Sequence, residues 1–315
     1  MQIGKLAIYE PQQRLTVEQY YKQQHITLAE KQSLIEAGIH SIPMASDVTA
    51  YDMLEQTVEN MLQHEDIAVE NVQYVMVPYL YFSFPHSFNL FSKLREKFQL
   101  HHAMFFSLRD LLCANVLMSL HVAAEMLSSP TSSDEDIGLM VTVEKTMLAD
   151  QRYGGGYFMT ADGAAGISMG KALAGDTFIA FHAVSDTRTI QQGKMKNGRD
   201  DVPDYFYYVN LTKNMKYALR KASLTMDDIA LIIPNNITKS TWPLLSRMMK
   251  ISTERFYTDG LQERGHMNNA DLLYNLHDVR SKKLLKEHDY YMLLTLGNGG
   301  VICCAICQRG DTVYE

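Results

Sequence analysis

The stretch Ile229-Ala230-Leu231-Ile232-Ile233-Pro234-Asn235-Asn236-Ile237-Thr238-Lys239-Ser240-Thr241-Trp242 reads as a buried strand, a polar corner and the opening of a helix. A short apolar run without alternation suits a strand covered on both faces, and a proline followed by asparagines ends it. The same order occurs earlier in the chain. Val69-Glu70-Asn71-Val72 leads into the apolar run 72–78, a corner at Pro85-His86 and a helix ending near Phe98. Met226-Asp227-Asp228-Ile229 leads into the run 229–234, the Pro234-Asn235 corner and a helix ending near Lys250. Downstream, Cys113 opens a helix (Val116, Leu117, Leu120, Ala124, Leu127) that feeds the run 137–143. Gly265-His266 opens one (Leu272, Leu273, Leu276) that feeds the run 290–296. Alternating strand and helix runs predict an α/β fold with helices covering a mostly parallel sheet, and the recurrence predicts two similar halves. Cys113, Asn235 and His266 then stand at corresponding strand-to-helix corners, where sites form in such sheets.

Working outward, Tyr51, Leu54, Val58 and Met61 fall at helical spacing after Thr49, an expected N-cap, and Phe88, Phe91, Leu94 and Phe98 repeat the spacing. The polar run 191–204 reads as a long surface loop, and no stretch has the composition of an interdomain linker. With 315 residues, 46% hydrophobic and 21% charged, the chain has ample material for a large core and is neither disordered nor fibrous. A net charge of -7 argues against wrapping nucleic acid. Four cysteines in no paired framework point to a reducing compartment, and the sequence has neither a signal-peptide pattern nor an apolar run long enough for a bilayer. The expectation is a cytoplasmic protein.

Cys113 sits in Leu111-Leu112-Cys113-Ala114-Asn115 at the start of an apolar helix, where the helix end favours thiolate and hence a nucleophile. The other reading is a buried cysteine acting as a small hydrophobe. Asp162-Gly163-Ala164 belongs to a Gly/Ala-rich turn suited to close backbone packing. Gly297-Asn298-Gly299-Gly300 ends a strand with a turn whose amides can form an oxyanion hole. Cys303, Cys304 and Cys307 lie in a terminal apolar strand whose adjacent cysteines face opposite ways, and they read as packing. His266, His277 and Asp271 fit no tetrahedral metal motif, so no metal is expected.

The order and character of these segments resemble the thiolase superfamily, specifically the ketoacyl-acyl-carrier-protein synthase III group, over essentially the whole chain. The resemblance implies two pseudo-duplicated α/β halves with mixed central sheets in an αβαβα layering. Residues 1–170 would carry the nucleophile and 171–315 the Asn235 and His266 loops. In that family a Cys opens a buried helix, an Asp-Gly-Ala turn follows, then Pro-His-x-x-Asn, Gly-Asn before a helix, and a triple-glycine turn. Cys113 matches the nucleophile, Asp162-Gly163-Ala164 the Asp-Gly-Ala turn, and residues 297–300 the glycine turn except for Asn298. The departures are Asn235 where the family has its catalytic His, Thr238 where the motif's Asn follows, and His266 where the third catalytic residue is normally Asn. Asn235 can donate a hydrogen bond but cannot shuttle a proton.

His266 would restore a base, and Asp271 would orient its ring, giving a Cys113-His266-Asp271 set. This is similar to the offshoot of the synthase III group that transfers its acyl group to a hydroxyl or amine. The alternative is that His266 caps the helix and Asp271 faces solvent. The resemblance implies an acyltransferase of specialised metabolite, fatty-acid or polyketide-type biosynthesis. It takes an acyl group from a coenzyme A or acyl-carrier-protein thioester onto Cys113 and passes it to a hydroxyl or amine. The alternatives are carbon–carbon condensation and a non-catalytic subunit beside an active thiolase-fold partner. No tightly bound cofactor is implied. Lys239, Arg247 and Lys250 lie where the family docks its acidic carrier protein, and Lys213, Lys216, Arg220 and Lys221 make a second basic face; a solvated surface is the alternative for both. The one tryptophan is Trp242, so the family's adenine-stacking Trp near the N-terminus has no counterpart, which favours a carrier-protein donor. A homodimer, or a heterodimer with a thiolase-fold partner, is expected, without membrane or nucleic acid. Tyr81, Phe82, Phe84, Tyr205 and Phe206 hint at an apolar or aromatic acyl group.

Overall fold

The computed structural model describes the chain apart from residues 65–66, 155–157, 187–189, 192–193, 196–204, 238, 298–299 and 312–315. Among the described residues, nine strands make the main sheet: β1 (Gln2–Tyr9), β2 (Val72–Met76), β3 (Met104–Phe106), β4 (Ile137–Glu144), β5 (Gly163–Gly170), β6 (Asp176–Ser185), β7 (Ile229–Pro234), β8 (Tyr290–Gly297) and β9 (Val301–Gln308). Their order is β7-β8-β9-β6-β1-β5-β4-β2-β3. β2 runs parallel to β3 and β4, and β7 to β8, while the other neighbours are antiparallel. The sheet is therefore mixed rather than mostly parallel, because β5 and β9 return directly beside β4 and β8 without a helical crossover.

β1 and β6 pair only through Gln2 with Thr177 and Ile3 with Asp176. That short seam joins two half-sheets edge to edge, and the 170/171 division expected from the sequence falls between β5 and β6. Each half repeats one order. The first reads β1, α1 (Ala50–His64), β2, α2 (Leu90–Lys97), β3, α3 (Asn115–Leu127), β4, β5. The second reads β6, α4 (Tyr205–Ala222), β7, α5 (Thr241–Met249), a single parallel bridge from Phe256 to Ile232 in place of β3, α6 (Asp271–Ser281), β8, β9.

Thr49 caps α1 as its sequence position implies: its Oγ1 accepts from Asp52 N at 3.1 Å while the Thr49 amide donates to the Asp52 carboxylate at 2.8 Å. α1 packs on β1, β5 and β4, and α4 on β6 and β9, as outer layers. α3 and α6 touch strands of both halves and form the middle layer, giving the αβαβα arrangement. Their composition fits that place. Val116, Leu117, Leu120 and Leu127 of α3 and Leu272, Leu273, Tyr274, Leu276 and Val279 of α6 are all buried, as a helix covered all round requires.

One expectation is corrected here. Residues 163–166, read as part of a turn, open the fully buried strand β5. Its Gly and Ala content is a packing demand. A Cβ on Gly166 would stand 2.2 Å from the Met61 sulfur of α1, and one on Gly163 2.7 Å from the Tyr274 hydroxyl of α6. Helices press on both faces of this strand, and only minimal side chains leave room. At the far end of the sheet, Cys303 and Cys304 enter different core clusters on opposite faces of β9, as strand alternation requires. No helix among the described residues is long and apolar enough to cross a membrane.

Candidate active site

The two middle-layer helices begin with the same device. A 3-10 turn, Leu112–Ala114, leads into α3, and another, Asn268–Ala270, leads into α6. The first residue of each turn lies in the left-handed region, Leu112 at φ 55° and Asn268 at φ 49°. The first residue of each helix bonds back to the amide four residues earlier: Asn115 Oδ1 accepts from Leu111 N at 3.0 Å, and Asp271 Oδ1 from Met267 N at 2.6 Å. A left-handed leucine costs roughly 1–2 kcal/mol, and such strain gathers at functional corners. This alignment corrects the expected equivalence of corners: the counterpart of Cys113 is Asn269, not His266, which precedes its turn by two residues.

His266 reaches the site by another route. Gly265, at φ 70°, lets the chain turn sharply, and a Cβ there would meet Met159 O at 2.6 Å. His266 then bonds like a strand, donating its amide to Met159 O at 2.8 Å and accepting from Ala161 N at 2.9 Å. The Phe158 ring meets its imidazole edge to face, centroids 4.5 Å apart. The strand pair Tyr153–Gly154 and Phe158–Met159 thus walls one side of the imidazole.

The result is a continuous chain of contacts. His266 Nε2 lies 3.3 Å from Cys113 Sγ, and His266 Nδ1 makes a short hydrogen bond to Asp271 Oδ2. That oxygen also accepts from Asn236 N at 2.9 Å. Cys113, His266 and Asp271 are all buried. Asp271 therefore faces the imidazole rather than solvent, and it fixes Nδ1 as the donor, leaving Nε2 for the sulfur. Burial by itself would push His266 down, but the Asp271 carboxylate and the Cys113 sulfur outweigh it and hold the imidazole well above its ordinary range.

The other expected site residues are placed less uniformly. Asn235 is buried, yet its amide forms a reciprocal pair with Leu296, Nδ2 donating to its carbonyl at 3.2 Å and Oδ1 accepting from its amide at 3.0 Å. It clasps the Pro234 corner to β8, which commits one of the two amide hydrogens of the expected donor to a structural contact. Gly297 abuts the Cys113 turn: a Cβ there would stand 2.7 Å from Leu111 O. Gly300 N donates to Gly297 O at 3.1 Å, so that amide closes the turn and is corrected as an oxyanion donor. Asn298 and Gly299 lie outside the described residues, as does Thr238. Of the expected loop 191–204, Gln191 and the pair Lys194–Met195 are described, in a short hairpin.

Asp162 is the anchor of its motif rather than a reacting group. It holds Arg152 through two bonds of 3.0 and 2.8 Å and accepts from the amides of Ala45 and Thr146. Lys239 is half-buried just ahead of α5, whereas Arg247 and Lys250 are exposed at its other end, so the three basic residues are spread along a helix about 14 Å long. Trp242 is buried and stacked on Phe256 at 4.9 Å. Tyr81 and Phe82 are exposed while Phe84 is buried; the side chains of Tyr205 and Phe206 lie outside the description. The segment that carries the first three is tied to the site, because Asn115 Nδ2 donates to Tyr79 O at 3.3 Å. Among the described residues no group of three or more His, Cys, Asp or Glu is arranged to hold a metal.

Two buried polar residues of the site were not singled out from the sequence. Asn115 braces the Cys113 turn, and Glu144, ending β4, accepts from Asn269 Nδ2 at 2.9 Å. The available signal was a polar residue at the edge of an apolar run: Asn115 directly after Cys113-Ala114, and Glu144 closing 137–143.

Residues 219–309 match the family model described as the C-terminal part of 3-oxoacyl-[acyl-carrier-protein] synthase III. Comparison with curated proteins found no match. Among solved structures the chain is similar to ChlB3, titled an acyltransferase, with a TM-score of 0.85 at 15% identity over 98% of this chain and 97% of that one. It is also similar to 3-oxoacyl-[acyl-carrier-protein] synthase III from Aquifex aeolicus (TM-score 0.80, 15% identity, 98% and 99% covered) and to OleA from Xanthomonas campestris (TM-score 0.78, 18% identity, 98% of each). At these identities the structures show a common fold: the chain has the thiolase-like fold of the synthase III proteins.

Proposed function

We propose that the protein is a covalent acyltransferase of the synthase III type that loads an acyl group on Cys113 and delivers it to a hydroxyl or amine. The observation that carries this reading is the Cys113–His266–Asp271 chain of contacts, with the sulfur at 3.3 Å from a ring nitrogen whose other nitrogen is held by a buried carboxylate.

In the loading step the Cys113 thiolate attacks the thioester carbonyl. Negative charge develops on the carbonyl oxygen, where the amide of Cys113, in the first turn before α3 and without an intrahelical partner of its own, is placed to receive it beside the Gly297 turn. The carbon–sulfur bond of the donor breaks, and His266 as imidazolium gives its proton to the departing thiolate. Loading cancels the charge on Cys113 that helped hold His266 high, and the imidazolium proton has left with the donor thiol, so the acyl-enzyme carries a neutral imidazole free to accept a proton. An incoming O–H or N–H then loses its proton to His266 Nε2 as it attacks. The carbon–sulfur bond to Cys113 breaks and the thiolate–imidazolium pair is restored. A positioned base of this kind contributes roughly 10²–10⁴-fold.

The commitment of Asn235 to Leu296 favours a heteroatom acceptor over condensation, since an enolate would need a donor at that corner. The donor is a coenzyme A or acyl-carrier-protein thioester. Half-buried Lys239 at the head of α5, with Arg247 and Lys250 beyond it, offers a track for an acidic carrier, and the protein works as a dimer. The test is incubation with a panel of both donor classes, followed by intact-protein mass measurement and a chase with amine and alcohol acceptors. A mass gain lost in Cys113→Ala and discharged by an acceptor supports the reading. Discharge only through a decarboxylated carbon nucleophile moves it to condensation, and a chain that neither loads nor reacts with a thiol reagent is a non-catalytic subunit.

A further inference from the structure

Glu144 carries a buried carboxyl, 1% exposed, that the steps above do not use. Everything bonded to it is a donor. Leu80 N gives to Oε1 at 3.1 Å, Asn269 Nδ2 to Oε1 at 2.9 Å and Asn268 Nδ2 to Oε2 at 3.5 Å, and the Asn269 backbone amide adds to them. A donor-only surrounding fits a carboxylate, which accepts and never donates. Two parts of the site meet at this one group. Asn268 and Asn269 form the strained turn between His266 and Asp271, with Asn269 at the position that Cys113 holds in the other half. Leu80 belongs to the segment that Asn115 anchors beside Cys113 through Tyr79 O.

The same surroundings hold a second arrangement. Asn269 Oδ1 is buried and has no hydrogen-bond partner. A carboxylic acid at Glu144 needs an acceptor for its O–H, and turning the Asn269 amide over supplies one. Other charged groups nearby are occupied. From its own strand end, the Lys145 ammonium bonds Val48 O. From the start of β5, Asp162 is neutralised by Arg152. From the α6 side, Asp271 is bound to His266, whose positive charge is the one that acts on Glu144. The segment 77–89 faces Glu144 with a backbone amide.

We propose that Glu144 is a positioning residue for acyl transfer: as a carboxylate it holds the Asn268–Asn269 turn, and with it His266 and Asp271, in transfer-ready register and strengthens His266 as a base. As a carboxylic acid paired with the turned-over Asn269 amide, it releases that hold. Burial pushes the Glu144 carboxyl up to about 7, against the pull of Asn269, Leu80 and the His266 charge, so both forms are populated near neutral pH. Since an imidazolium favours the carboxylate, the carboxylate favours the imidazolium equally. Transfer therefore gains with rising pH as Glu144 ionises.

The inference rests on the acyl-transfer reading, and the experiment separates the two. Acyl-enzyme discharge and the iodoacetamide alkylation of Cys113 are both followed from pH 5.5 to 8.5 in wild type, Glu144→Gln and Asn269→Ala. Wild type is expected to show a limb in discharge near pH 7. Glu144→Gln, which mimics the neutral acid, is expected to lose that limb and run about tenfold slower at pH 8, with donor KM little changed. Asn269→Ala keeps the carboxyl but removes its strongest donor, so the limb moves to higher pH even if the glutamine variant does not fold. Alkylation needs no acyl donor, and its acid limb is expected to move down by about half a unit in Glu144→Gln, because a negative charge that holds protons on the Cys113–His266 pair is lost. A uniform slowing with an unmoved limb, or alkylation profiles that coincide in all three proteins, overturns the inference. Failure of wild type to form any acyl-enzyme overturns the transfer reading instead and leaves alkylation to decide the role of Glu144.

Discussion

Replacing Asp271 by Asn changes one atom and strikes three contacts at once. The carboxylate receives His266 Nδ1, Asn236 N at 2.9 Å and Met267 N at 2.6 Å, all donors. An asparagine has one acceptor oxygen, so its NH₂ must face at least one buried N–H, which leaves that donor unpaired at a cost of ~1–3 kcal/mol. If the oxygen stays on Met267, the NH₂ meets the imidazole and drives the proton to Nε2, the nitrogen that must accept from the acceptor substrate. If it stays on His266, the turn before α6 loosens. In either case the negative charge that holds His266 high is gone. Comparable loss of the orienting carboxylate in a nucleophile–His–Asp set is worth roughly 10⁴-fold, or ~5 kcal/mol in the barrier. The assay is a quenched-flow chase of preformed acyl-enzyme, read by intact mass, with thermal unfolding as a control. We expect discharge to slow about 10³–10⁴-fold in a folded protein of lowered Tm. Discharge within about fivefold of wild type, in a protein that unfolds at a lower temperature, would leave Asp271 as a structural brace and refute the reasoning.

Other outcomes follow from neighbouring contacts. His266→Ala removes the charge partner at 3.3 Å, so alkylation of Cys113 at pH 7 should slow markedly. Gly265→Ala places a methyl 2.6 Å from Met159 O at a positive φ and should cost more than ~2 kcal/mol in urea unfolding while also slowing transfer, because His266 is the next residue. Glu144 stands at about 7 against its ordinary 4.5, so the folded protein binds a proton there that the unfolded chain has released. Stability from this group is thus lost as pH rises from about 4.5 to 7, by ~3 kcal/mol, and Glu144→Gln should remove that slope from the difference between urea curves at pH 5 and 8. Arg152→Ala strands the Asp162 carboxylate, which is buried completely, and should cost ~3–5 kcal/mol, measured by urea unfolding.

The parts of this protein that were legible in the sequence are those written in local chemistry. The apolar runs at 137–143, 229–234 and 290–296 are strands, Thr49 caps its helix, and the repeat of strand, corner and helix is a true duplication of the fold. Proximity of Cys113, His266 and Asp271 was also foreseeable, because the five-residue step from His266 to Asp271 and the family pattern around Cys113 are sequence features. Residues 163–166 read as a turn since glycine and alanine are poor strand formers in isolation; the helices on both faces decide their state, and they come from residues a hundred positions away. The clasp made by Asn235 was not legible because it depends on the backbone of Leu296, 61 residues on. The counterpart of Cys113 was misplaced by three residues because only the φ of Asn268 marks where the turn starts.

The central claim is that Cys113 becomes acylated. Peptide mapping after incubation with donor thioesters tests it most directly, since the other three cysteines are buried in β9 with Cys303 pushed up to about 12 by burial and serve as internal controls. The account predicts an acyl group on the Cys113 peptide alone, absent when His266 is replaced by Ala at pH 7 on the same time scale. Acylation of the Cys303–Cys307 peptide, or a mass gain that persists in Cys113→Ala, would contradict it.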